Sequence, residues 1–156
     1  METVIALLAF IHSVTGYAVP DQFPQIVRAS HEQIAGMIAC PRSCEAFALY
    51  RDGVIYLDRT ADVEGDVNAR SILLHELTHW LQDANCAFCR VAAGQHRWRL
   101  READAYQVQS RYLLAASGQH RHFARFADPE EVDALRAGPG HAVLAKAGSE
   151  SYSRRD

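Results

Sequence analysis

The stretch SILLHELTHWLQ, residues 71–82, decides how the rest of this chain is read. It sets His75 and His79 four positions apart, with Glu76 beside the first, inside a run of leucines. On a helix turning ~100° per residue, Leu73, Leu74, Leu77, Trp80, Leu81 and Ala84 collect on one side. That side predicts a helix over residues 68–84, buried through its apolar stripe. His75 and His79 fall within ~40° of each other on the opposite side, near Asn68, Ser71, Ile72 and Gln82, with Glu76 on the flank. Both imidazoles can reach one point while the leucines anchor the helix, as a metal clamp requires. Taken alone, the pair has a blander reading, a solvated helix face.

A second long helix, predicted over 97–116, bears on that choice. Its wheel gathers Trp98, Ala105, Tyr106, Gln109, Tyr112, Leu113 and Ala116 on one largely apolar face, with Glu102 in the middle. Arg101, Asp104, Gln107 and Arg111 lie on other faces. A carboxylate aimed into an apolar stripe costs roughly several kcal/mol unless it is paired or binds a metal. Glu102 needs a partner, and the two histidines need a third ligand. The alternative for Glu102 is a salt bridge to a local arginine.

Around these helices the chain alternates short strand-like and longer helical segments, without βαβ rhythm, which points to an α+β fold. Gln25–Ala29 reads as a strand, and Ser30 with Gln33 forms a capping box opening a helix over His31–Ala39. Residues 46–58 read as a hairpin, with strands at 46–50 and 54–57 around an Asp52-Gly53 turn. Thr60–Val67 reads as a polar loop, and a shorter helix follows Pro129. The predicted organisation is one domain over residues 1–137, followed by a flexible tail over 138–156.

The remaining features narrow the classes of function. The chain has 156 residues, 22% charged and with a net charge of −3, and no basic cluster of the kind a nucleic-acid binder carries. The apolar run Val4–Ile11 is too short to span a membrane. It can serve as a signal-peptide core, with Gly16-Tyr17-Ala18 as a cleavage pattern. Glu2 and the lack of a preceding lysine or arginine favour a first helix of the domain instead. Four cysteines, Cys40, Cys44, Cys86 and Cys89, suit disulfides and an exported, periplasmic or secreted setting. Three connectivities are open, as are a four-thiolate zinc site and a Cys86–Cys89 redox dithiol.

His75-Glu76-x-x-His79, followed by Glu102-Ala103-Asp104-Ala105, resembles the gluzincin group of zinc metallopeptidases, the thermolysin-like branch of the zincins. The resemblance covers roughly residues 45–116. It also extends to small exported bacterial H-E-x-x-H domains of unassigned function. It implies a minimal zincin-like domain, its hairpin packed on the H-E-x-x-H helix beside a second ligand helix. It further implies Zn²⁺ held by His75, His79 and Glu102, with Glu76 as general base, and a peptide or protein substrate paired to an edge strand. Thermolysin-like enzymes carry a histidine-orienting aspartate at the place occupied here by Tyr106. The metzincin third histidine would fall at position 85, which is Asn. For the oxyanion, Tyr106 is the nearest candidate, with His96, His120 and His122 further out. A core tyrosine is the plainer reading of Tyr106. His12, His31 and His141 cluster with nothing. Two other functions compete with the peptidase: a non-catalytic domain in which zinc staples two helices, and a thiol-redox protein using Cys86 and Cys89.

Overall fold

The computed structural model describes residues 1–38, 46–121, 123 and 126–136. Cys40, Cys44, His122, His141 and the expected tail at 138–156 lie outside the described residues. The fold is α+β, with five helices and a three-stranded sheet among the described residues.

The N-terminal apolar run forms helix α1, Glu2–Thr15, and its Leu7, Leu8 and Ile11 are buried in the core. Strand β1, Gln25–Ala29, has the predicted limits. Helix α2, His31–Met37, opens on the expected reciprocal cap. Ser30 Oγ accepts from Gln33 N–H at 3.3 Å, while Gln33 Oε1 accepts from Ser30 N–H at 2.9 Å. Strands β2, Ala48–Arg51, and β3, Val54–Asp58, form the expected hairpin, β2 starting two residues later and each strand ending one residue later than expected. Asp52 and Gly53 both take left-handed backbone, φ 52° and 83°, the twist that a two-residue hairpin turn requires.

The sheet runs β1-β3-β2, with β2 antiparallel and β1 parallel to β3. The parallel pair, reached through α2 and β2, was not anticipated by the absence of βαβ rhythm. It leaves β2 at an outer edge, against helix α3, Val67–Ala84. Asp66 caps α3 by accepting from Asn68 N–H at 2.9 Å. Leu73, Leu74, Leu77 and Leu81 are fully buried there, each contributing roughly 2 kcal/mol of apolar transfer as an upper figure. Trp80 is only half-buried and Ala84 is exposed, so the stripe is narrower than its wheel.

Helix α4, Gln95–Ser117, packs along α3 and also meets α1 and α5, Pro129–Arg136. It is therefore buried on two sides, whereas the one-stripe reading allowed only one. Leu100, Ala103 and Val108 are buried outside the expected face, while Trp98, expected in the core, is 50% exposed, and Ala116 is exposed. The largest correction is Asp104, expected to face away and found completely buried. No helix among the described residues is long and apolar enough to cross a membrane.

Candidate metal centre

The helical spacing of α3 brings the His75 and His79 Nε2 atoms to 3.1 Å from each other. Packing of α4 against α3 delivers the Glu102 carboxylate to both, at 3.4 Å from His75 Nε2 and 3.3 Å from His79 Nε2. The arginine alternative for Glu102 is not what the structure has. Among the described residues these three are the group of donors placed to hold a metal ion. Zinc at its usual ~2.0–2.1 Å from nitrogen and oxygen sets tetrahedral ligands ~3.4 Å apart. The two nitrogens lie 3.1 Å apart and each has a different Glu102 oxygen at 3.3–3.4 Å, so the three side chains are spaced to close on one small cation.

The nitrogens must also carry lone pairs, and Gln82 fixes this for His79. Its Nε2 lies 2.9 Å from the Arg101 carbonyl and 2.9 Å from Asp104 Oδ2, both acceptors. Its Oε1 therefore turns the other way, accepting from Arg101 Nε at 3.1 Å and from His79 Nδ1 at 2.9 Å. With its proton on Nδ1, a neutral His79 presents a free lone pair at Nε2. His75 Nδ1 is buried without a partner among the described residues, and its ring is held instead by packing. The Tyr106 ring lies against it with centroids 4.5 Å apart, and Tyr106 stacks in turn on Phe123 and Phe126.

No protein-family model matches the chain, nor does any curated protein or solved structure.

Glu76, one residue from the first histidine, stays out of the donor triangle. Its Oε2 accepts from Tyr50 N–H of the β2 edge at 2.7 Å, so strand and helix share one carboxylate. Glu76, the donor triangle and Tyr106 all line a cleft of about 1040 Å³. Burial works to lower the His79 pKa, but the hydrogen bond and charge of Glu102 outweigh it, with Glu76 and Gln82 adding, and the net direction is upward. Burial pushes Glu102 up, yet the two histidines hold it well below the usual carboxylate range. Tyr106 is raised by burial and then by the Glu102 and Glu76 charges, so its hydroxyl keeps its proton at neutral pH. Tyr50, on the cleft wall, is pushed up to about 12 by burial and by a hydrogen bond with Asp83.

Sequence reasoning missed Asp104 and the side chains around it. Its carboxylate accepts from Tyr17 Oη at 2.6 Å, Gln82 Nε2 at 2.9 Å, Arg136 Nε at 2.8 Å and Arg136 Nη2 at 2.7 Å. One buried carboxylate thereby joins α3, α4, α5 and the segment just after α1, and through Gln82 it reaches His79. Burial and the Asp104 charge raise the Tyr17 pKa, keeping that hydroxyl a donor. The aspartate that thermolysin-like enzymes carry at the position of Tyr106 has no direct counterpart here; Gln82, backed by Asp104, holds the histidine. Leu100, Ala103 and Val108 mark a second apolar face of α4 and were the available signal for its second buried side.

The other expected residues separate cleanly. His96 is exposed and pairs with Glu131 at 3.3 Å, and neither it nor His120 lines the cleft. His12 Nδ1 is 2.7 Å from the Tyr17 carbonyl, and His31 lies 3.9 Å from Asp58, both far in sequence from the donors. Asn85, at the metzincin position, is a pin: its side chain bonds both the N–H and the carbonyl of Ala18. Cys86 and Cys89 are joined as a disulfide, which takes both out of service as thiolate ligands.

Proposed function

We propose that the chain is a small metal-dependent hydrolase of peptide bonds, its cofactor zinc, held by His75, His79 and Glu102. The observation that carries this reading is the pairing of a three-donor triangle with an independently anchored carboxylate, Glu76, in one open cleft. A purely structural site needs the triangle but neither the carboxylate nor the cleft. Bound there, zinc would lower the pKa of water at its open position toward ~7 and polarise a substrate carbonyl.

The side chains then divide the work. Glu76, held by Tyr50 N–H, accepts a proton from the attacking water as its oxygen bonds to the carbonyl carbon. The same carboxyl group passes that proton to the departing amine as the C–N bond breaks, leaving Glu76 as it began. The protonated Tyr106 hydroxyl, in the same cleft, is the donor available to the developing oxyanion. The outer edge of β2, apart from the Tyr50 N–H that Glu76 holds, offers backbone groups to an extended peptide.

Glu76→Gln tests the reading, because it keeps the side-chain shape and removes the proton acceptor. Zinc content, measured by elemental analysis, should stay near one per chain in this variant and fall in His79→Ala. Cleavage of a peptide library at pH 6–8 should drop 10²–10⁴-fold, the range for loss of a general base. A wild type that holds zinc yet cleaves nothing, with a melting point that falls on chelation, would replace the hydrolase with a zinc staple.

A further inference from the structure

The walls of the cleft carry more charge than the chemistry uses. Three arginines line it, Arg97, Arg101 and Arg121. Arg101 is committed: its Nη1 is 2.6 Å from Asp83, and its other nitrogens bond Gln82 Oε1 and the His79 carbonyl. Arg97, half-buried, and Arg121, exposed, have no carboxylate within ion-pairing distance among the described residues. The cleft's own acids, Glu76 and Glu102, are engaged by Tyr50 N–H and by the two histidines, and neither lies within ion-pairing distance of Arg97 or Arg121. A positive wall has thus been left on a chain whose net charge is −3.

The same cleft also concentrates exposed apolar surface. Ile38 and Phe47, 37% and 41% exposed, lie on its wall, as does Trp98 on α4. Trp98 stands one turn before Glu102 on the same helical row, with its ring edge-on to Phe126 at 5.5 Å. Aromatic surface adjoining free guanidinium groups suits a chain with alternating apolar and acidic side chains better than a compact anion.

We propose that the cleft selects peptides with an apolar residue beside the reacting bond and a carboxylate about two residues from it, received by Arg97. The spacing follows from α4. Arg97 precedes Glu102 by five residues, ~7.5 Å of helix rise, and an extended peptide covers that in about two residues. The peptide as occupant rests on the hydrolase reading, so the test measures binding separately from cleavage.

The probes are dye-labelled peptides with a Phe-Leu bond after the fourth residue, two of them octapeptides and the third a hexapeptide. One has amidated termini and Glu two residues from the bond, a second has Gln there, and a third ends in a free carboxylate at that position. Binding is read by fluorescence anisotropy on zinc-loaded protein carrying Glu76→Gln, so that no probe is consumed. Cleavage is read on wild type by mass spectrometry. The Glu peptide should bind about tenfold more tightly than the Gln peptide, as a charge-assisted hydrogen bond gives. The free-terminus peptide shows whether a chain-end carboxylate serves as well as a side chain. Arg97→Ala should bring the Glu-to-Gln ratio toward one, Arg97→Lys should keep part of it, and Arg97→Glu should reverse it in favour of the Gln peptide. Equal binding of Glu and Gln peptides, or a ratio that survives Arg97→Ala, overturns the inference. Cleavage without charge preference overturns it while leaving the hydrolase standing. Charge-selective binding with no cleavage of any peptide upholds it and removes the hydrolase.

Discussion

Replacing Gln82 by alanine should weaken the metal centre without dismantling the fold. The amide makes four hydrogen bonds between 2.9 and 3.1 Å, to His79 Nδ1, Arg101 Nε, the Arg101 carbonyl and Asp104 Oδ2. Asp104 keeps Tyr17 and Arg136 when the amide is gone, so the buried carboxylate is not abandoned. The stability loss should then be about 1–3 kcal/mol, near the cost of one buried polar group losing its partner. At 2–4 °C per kcal/mol for a chain of this size, the melting point falls by roughly 2–12 °C. Zinc affinity should fall 10–100-fold, the usual effect of removing the partner that orients a ligand imidazole. Asp104→Asn makes the complementary forecast. It removes the charge facing buried Arg136, a break worth about 3–5 kcal/mol, yet the asparagine oxygen can still accept from Gln82, so affinity changes little in the folded fraction. Competition titration with a chromophoric chelator gives the affinities, and calorimetric melts give the stabilities. Cobalt-loaded Gln82→Ala should also show an altered visible spectrum, which general destabilisation would not produce. A folded Gln82→Ala protein with affinity within twofold of wild type and an unchanged cobalt spectrum would refute the role assigned to Gln82.

Two predictions concern pH. In the metal-free protein the His79 pKa is raised, so a bound proton competes with the metal. Affinity should therefore fall as pH drops through that raised value, and uptake near pH 6 should release protons, measurable by calorimetry in buffers of different ionisation enthalpy; uptake with no proton release would count against it. Asp58, buried, accepts from Thr60 N–H at 2.8 Å and Thr60 Oγ1 at 2.7 Å, and these bonds lower its pKa against the opposing effect of burial. A lowered folded value stabilises above the unfolded value near ~3.9 and loses that contribution as pH falls through the folded value. Asp58→Asn should cost about 1–2 kcal/mol at pH 7 and progressively less below pH ~4, by denaturant melts across that range. A deficit that does not shrink would mean packing, not charge, explains the loss.

What could be read from the sequence was what local rules determine. Ser30 and Gln33 are three residues apart and cap one helix; Asp52-Gly53 closes one hairpin; His75 and His79 share one face of one helix. Even Glu102 came within reach, because a lone carboxylate in an apolar stripe announces that something must meet it. Asp104 raised no such alarm. It was assigned to water by a wheel with one buried side, but α4 has two, and its second contact is with α1 and α5. The side chains that satisfy it come from 87 residues upstream, Tyr17, and 32 downstream, Arg136. No window of sequence contains all three. Their convergence is a property of the topology that lays α1 and α5 against α4. Gln82 was placed correctly beside the histidines, yet its role depends on which way its amide points, and that is decided by Asp104. The donors of the centre were therefore legible one helix at a time. What orients His79 was not, because it is built where three helices and the segment after α1 meet.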